Sequence, residues 1–100
     1  MISLVRKKII IGTRSLSGDL GALKEKNVTH VIEYLLEKKF FHYDTAPVYG
    51  KGKIDKILSN YKKKIIVNTK CGYDSFHKKK TFKLSDMQST IDKSLKLFVT

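Results

Sequence analysis

Two hydrophobic periods alternate along this chain, and that alternation constrains its fold more than any other feature. Ile9-Ile10-Ile11, Phe40-Phe41-His42-Tyr43 and Ile65-Ile66-Val67-Asn68-Thr69-Lys70 are short, nearly continuous apolar runs. All three read as strands, and the continuous β-branched run Ile9-Ile10-Ile11 reads as a buried one rather than an alternating, half-wet one. Between and after them, apolar residues recur at helical spacing. Val28, Val31, Ile32, Leu35 and Leu36 follow the i, i+3, i+4, i+7, i+8 pattern, and Ile54, Ile57, Leu58 and Tyr61 share one face of a shorter helix. Met87, Ile91, Leu95 and Phe98 form the stripe of a third helix, which is expected to bury them. The order β-α-β-α-β-α implies an α/β chain with parallel pairing and right-handed crossovers.

Punctuation residues suggest the boundaries. Gly12-Thr13 closes the first strand, which the preceding residues extend as a short strand or hairpin. Arg14 to Gly21 is rich in glycine and serine and reads as loop. Asn27 is the expected N-cap of the first helix. Ser85-Asp86-Met87-Gln88 has the Ser-x-x-Gln form of a capping box and is expected to open the last helix. A loop of about fourteen residues precedes it. Residues 1–100 form one domain without linker or low-complexity tract.

Charge narrows the function classes. The formal net charge is +12, from 19 lysines and 2 arginines against 9 acids. Such a surface attracts polyanions without specificity. Base and phosphate recognition favours the bidentate fork of arginine, which is scarce here, so specific nucleic-acid binding is not the expectation. Cys71 is the only cysteine, which excludes an internal disulfide and a cysteine-based metal site. No metal site is expected. The N-terminus lacks the apolar stretch of a secretory signal, and nothing approaches a membrane span, so a cytoplasmic location is expected.

Chemistry gathers at strand ends in parallel α/β sheets. Asp44 follows the second strand and Lys70 ends the third, so both belong to one rim. Tyr49 lies five residues beyond Asp44 and can fold back over it. A lysine ammonium beside a phenol stabilises the phenolate and makes the phenol a better proton donor. A carboxylate such as Asp44 keeps the lysine charged and oriented. The three suit reduction of a carbonyl, with the hydride brought by a cofactor because no side chain supplies one.

The surrounding strings carry a family resemblance. Phe41 through Leu58, containing Asp44-Thr45-Ala46-Pro47-Val48-Tyr49-Gly50, resembles the first signature of the aldo-keto reductases. Ile66-Val67-Asn68-Thr69-Lys70 resembles the strand bearing that family's lysine, Ile11-Gly12-Thr13 the end of its first strand, and Ser85 through Leu97 its third helix. The resemblance covers the chain from Ile9 onward. It implies a (β/α)8 TIM barrel using NADPH, of which this chain holds the N-terminal three β-α units as an incomplete barrel. Carried over, Tyr49 is the general acid, Lys70 its modulator and Asp44 the partner of Lys70. Gly12, Thr13 and Asp44 lie near the nicotinamide ribose.

The chain also departs from the family pattern. Asp55 stands for the acid of the helix after the signature, and Ser59 replaces its glycine. The family's histidine and most cofactor contacts belong to later strands. His42 reads as a satisfied interior histidine, His77 as solvated and His30 as lying off the apolar face. Cys71 reads as a small packing residue.

The resemblance therefore implies NADPH-dependent reduction of a small aldehyde or ketone, conditional on a companion C-terminal fragment or self-association. An inactive remnant and a basic polyanion-binding module are the alternatives.

Overall fold

The computed structural model describes residues 8–74 and 79–99. Three parallel strands form one open sheet in the order β1 (Ile11–Gly12), β2 (His42–Asp44), β3 (Ile66–Asn68). Helices α1 (Glu25–Glu37) and α2 (Lys53–Ser59) connect them, and α3 (Leu84–Phe98) follows. A short antiparallel pair, β4 (Tyr73–Asp74) and β5 (Lys79–Lys80), lies where the sequence suggested only loop. The expected α/β order with parallel pairing is present, and the sheet does not close.

Register sorts the residues onto two faces. Ile11, Tyr43 and Val67 lie abreast, as do Gly12, Asp44 and Asn68, with His42 beside Ile66. Successive side chains of a strand point to opposite faces. Tyr43 therefore faces the helices, where Val28 and Ile32 of α1 and Ile54, Ile57 and Leu58 of α2 surround it in the core. Its phenol is fully buried and donates to the Phe40 carbonyl at 2.9 Å, and burial pushes its pKa up to about 12.

The opposite face is open. Ile66 is 61% exposed there, and Ile9 and Ile10 are also exposed, against the expectation of a fully buried first strand. Only Ile11 and Gly12 of that run pair, because β1 has a single neighbour, β2, among the described residues. Residues 1–7, on which the expected N-terminal extension falls, lie outside the described ones.

Helix starts also differ from expectation. The N-cap of α1 is Lys24, with Asn27 already inside the helix; Glu25 places a carboxylate against the positive end of the helix dipole instead. Its C-terminus closes with the Phe40 N–H donating to Leu35 O and the Lys39 N–H to Leu36 O, each at 3.0 Å. That pattern is a Schellman motif with Lys39, at φ 72°, in the left-handed place that glycine usually takes.

Helix α3 begins at Leu84, so Ser85 is inside it and is not the cap of a capping box. The start is fixed from outside: Thr81 Oγ1 donates to Asp86 Oδ2 at 2.8 Å and accepts from the Lys83 N–H at 3.3 Å. None of the α3 residues is fully buried. Ile91 and Leu95 are about half exposed, and Phe98 alone packs against the core cluster, because α3 meets α2 and little else.

Candidate active site

The rim is assembled by backbone before side chains add to it. The Thr13 N–H and Oγ1 both donate to the Asp44 carbonyl, at 3.1 and 3.0 Å, locking the end of β1 to the end of β2. The Thr45 N–H donates to Asn68 O at 2.8 Å and locks β2 to β3. These bonds bring the residues after β2 and β3 to one edge, as the parallel order requires.

On this edge the three sequence-chosen residues meet. Lys70 Nζ lies 2.9 Å from Asp44 Oδ1 and donates to Thr45 O at 2.8 Å. The same ammonium lies over the Tyr49 ring, 5.4 Å from its centroid. Lys70 and Asp44 are each nearly half exposed, so the pair contributes only about 0–1 kcal/mol to stability. Its consequence is geometric: the ammonium is fixed by two oxygens and faces a phenol ring.

Behind the rim lies a second polar pair that the sequence reading did not assemble. Thr45 Oγ1 donates to Asp55 Oδ1 at 2.7 Å, and both residues are buried. Burial raises the Asp55 pKa; the Thr45 hydroxyl and the charge of Lys70 oppose that rise. Asp55 was legible as a lone carboxylate within the apolar stripe of Ile54, Ile57 and Leu58. Thr45 had no such mark. It links the two pairs, since its carbonyl accepts from Lys70 and its hydroxyl serves Asp55.

Tyr49 opens a 3-10 turn, Tyr49–Gly52, in which Gly50 and Lys51 are left-handed at φ 59° and 55°. The Gly50 N–H donates to Asp19 Oδ2 at 3.0 Å, a bond that spans 31 residues. This bond chiefly holds the Asp19 carboxyl below its ordinary pKa, against a smaller opposing effect of desolvation. Gly12 lies at the rim, and a Cβ built on it would meet nothing within 4 Å. Thr13 is 1% exposed and spends its hydroxyl proton on Asp44, so it shapes the rim from beneath.

A cleft of about 330 Å³ borders Tyr49 and Lys70, with Pro47, Val48, Lys80 and Phe82 among its walls. A larger groove of about 670 Å³ lies between the loop after β1 and helices α1 and α2, and contains neither Asp44 nor Lys70.

His42 Nε2 is buried with no hydrogen-bond partner among the described residues, so His42 is not the satisfied histidine expected. His30 is exposed on α1, off its buried face, as expected. His77 lies outside the described residues. Cys71 is exposed rather than a packing residue, because the chain turns away from the sheet after Lys70. Among the described residues no cluster of three His, Cys, Asp or Glu could hold a metal ion, and no helix is long and apolar enough to cross a membrane.

The comparison with curated proteins finds no match. The model of the aldo/keto reductase family matches residues 8–100, a span that includes every strand of the open sheet and the whole Asp44–Tyr49–Lys70 rim. With that match, the chain belongs to the aldo/keto reductase family, oxidoreductases with a TIM-barrel domain that generally use NADP(H).

Proposed function

We propose that the chain supplies the proton-transfer half of an NADP(H)-dependent reduction of a small aldehyde or ketone, as the first three β-α units of a (β/α)8 barrel. One observation carries the reading: the Lys70 ammonium sits 2.9 Å from Asp44 Oδ1, 2.8 Å from Thr45 O, and over the Tyr49 ring at 5.4 Å. The two oxygens hold the Lys70 ammonium in place. A fixed ammonium beside a phenol favours the phenolate that proton donation leaves behind. Tyr49 is then the general acid, giving its hydroxyl proton to the carbonyl oxygen as the carbonyl carbon is reduced. Lys70 stabilises the developing phenolate, and Asp44 orients Lys70.

The rim fits the nicotinamide end of the cofactor. Gly12 leaves open space beside Asp44, its register partner, and the Asp44 carboxylate is an acceptor suited to a ribose hydroxyl. Thr13 would act on that contact through Asp44, because it is itself buried. When bound, the cofactor supplies the hydride. The cleft walled by Pro47, Val48 and Phe82 would receive the apolar part of the substrate beside the phenol.

Three strands with one face open do not enclose a cofactor. Reduction on this reading requires further β-α units paired with the outer edges of β1 and β3, so that the sheet closes around the open face, in the same polypeptide or a companion one. The test follows NADPH oxidation with a panel of aldehydes once those units are supplied. Tyr49→Phe is expected to lower kcat/KM by about 10²–10⁴-fold while NADPH affinity stays nearly unchanged. Turnover that survives Tyr49→Phe removes the assignment.

A further inference from the structure

The loop after β1 is fastened to the turn that carries Tyr49 by the side chain of Asp19. The Arg14–Leu16 turn is followed by Ser17, whose hydroxyl donates to Arg14 O at 2.5 Å and accepts from the Asp19 N–H at 3.1 Å. These two bonds set the direction of the Asp19 side chain. Its Oδ2 accepts from the Gly50 N–H at 3.0 Å, one residue past Tyr49.

The backbone around that bond leaves little slack. Gly50 is left-handed at φ 59° and buried, and a Cβ built on it would stand 2.8 Å from Ser17 O. Lys51 follows at φ 55°, a conformation that costs a side-chain-bearing residue free energy and needs outside support. The bond from the Gly50 N–H to a carboxylate is the charge-assisted kind that gives such support. The Tyr49 N–H donates to Ala46 O at 3.0 Å, so the main chain that carries the phenol is held on both sides of Tyr49.

We propose that Asp19 is a positioning residue for Tyr49: by clamping the Gly50 amide, it makes the β1–α1 loop set where the phenol ring stands against Lys70. The inference rests on the reading of Tyr49 as proton donor. It adds a residue that touches neither substrate nor cofactor and acts through the main chain. A displacement of the phenol by about 1 Å is enough to slow proton transfer by about a hundredfold.

The test uses the full chain and needs no turnover. In solution NMR, the Lys70 ε-methylene protons adjoin an ammonium that lies over the Tyr49 ring, and they carry its ring-current shift. Asp19→Ala is expected to return those protons toward the position of the other lysines and to move the Gly50 amide. The methyl resonances of the buried Ile32 and Leu58 should stay in place. If Asp19→Ala does not fold, Asp19→Ser decides, since it keeps a polar side chain at this exposed position but is too short to reach the Gly50 N–H. Gly50 and Lys70 resonances moving together support the clamp. A Gly50 amide that moves while Lys70 does not, or one that does not move at all, overturns it.

With turnover established, Asp19→Ala should lower kcat by about tenfold or more with a smaller change in KM, and Asp19→Asn should restore part of it. An unchanged kcat likewise overturns the clamp. Loss of the Tyr49 assignment is read separately, from turnover that survives Tyr49→Phe.

Discussion

The two faces of one sheet have opposite fates here, although the same strands build both. Tyr43 and His42 are adjacent, yet Tyr43 is fully buried with its hydroxyl bonded, while His42 keeps a buried nitrogen without a partner among the described residues and its neighbour Ile66 is exposed. The helices explain the contrast. Helices α1 and α2 direct their apolar stripes at the Tyr43 face and cover it. Nothing among the described residues does this for the other face. A stripe or strand pattern states which side of an element needs burial; it does not state what will bury it. Helix α3 makes the same point, with Ile91 and Leu95 half exposed on a helix as amphipathic as α1.

Four substitutions break or sharpen this contrast. On the covered face, Leu58→Ala removes a side chain with no exposed surface and should cost about 2–5 kcal/mol in denaturant unfolding. A loss under about 1 kcal/mol would mean that the covered face is packed no better than the open one.

Next comes Tyr43 at alkaline pH. Its folded pKa, about 12, lies above the unfolded value near 10, so the folded state holds the proton longer. The associated stability is fully present below pH ~10 and is lost as pH rises through about 12, a change on the order of 2–3 kcal/mol. Lysine side chains in general ionise in the same range. The measurement is therefore the difference between wild type and Tyr43→Phe, and a difference flat with pH would contradict the buried phenol.

Asp55 predicts a slope of the same sign in acid. Its folded pKa is raised by burial, so its contribution is complete below the unfolded carboxyl pKa and is lost as pH climbs through the folded one. Asp55→Asn keeps an acceptor for Thr45 and should remove that slope. An unchanged pH dependence of stability would show that the carboxyl is not buried as described.

Smallest is Ile66→Thr on the open face, expected within about 0.5 kcal/mol of wild type. A cost near that of Leu58→Ala would instead reveal that this face is covered in solution.

The contrast also marks what could be read from residues alone. Continuous apolar runs found the three strands, and periodicity found the three helices, because burial of one helix face imposes a period. The rim trio was legible because parallel order brings the ends of β2 and β3 to one edge, and a loop of five residues lets Tyr49 return to it. Helix starts were misread at Asn27 and Ser85: both have capping side chains, but the chain enters each helix earlier, at Lys24 and Lys83. A good cap raises the odds of a start without forcing one. The β4–β5 pair escaped because two residues per strand carry no period. The contacts of Asp19 with Gly50 and of Thr45 with Asp55 escaped for another reason. Each joins residues whose spacing in sequence says nothing, and only the folded path of the chain makes them neighbours.

Gly50 gives the fold a sensitive place for genetic change. Its positive φ, its burial and the Ser17 oxygen where a Cβ would go reject every alternative side chain for separate reasons. A library randomised at that codon and sorted for soluble, folded protein should therefore return glycine almost alone, while the neighbouring Lys51, exposed but also left-handed, should accept glycine, asparagine and unbranched polar side chains and reject β-branched ones. A pool that stays diverse at Gly50 would mean that this turn is not held in its folded shape. Mutational tolerance at one codon would thus report whether the Tyr49 turn is formed in the living cell, with no substrate needed.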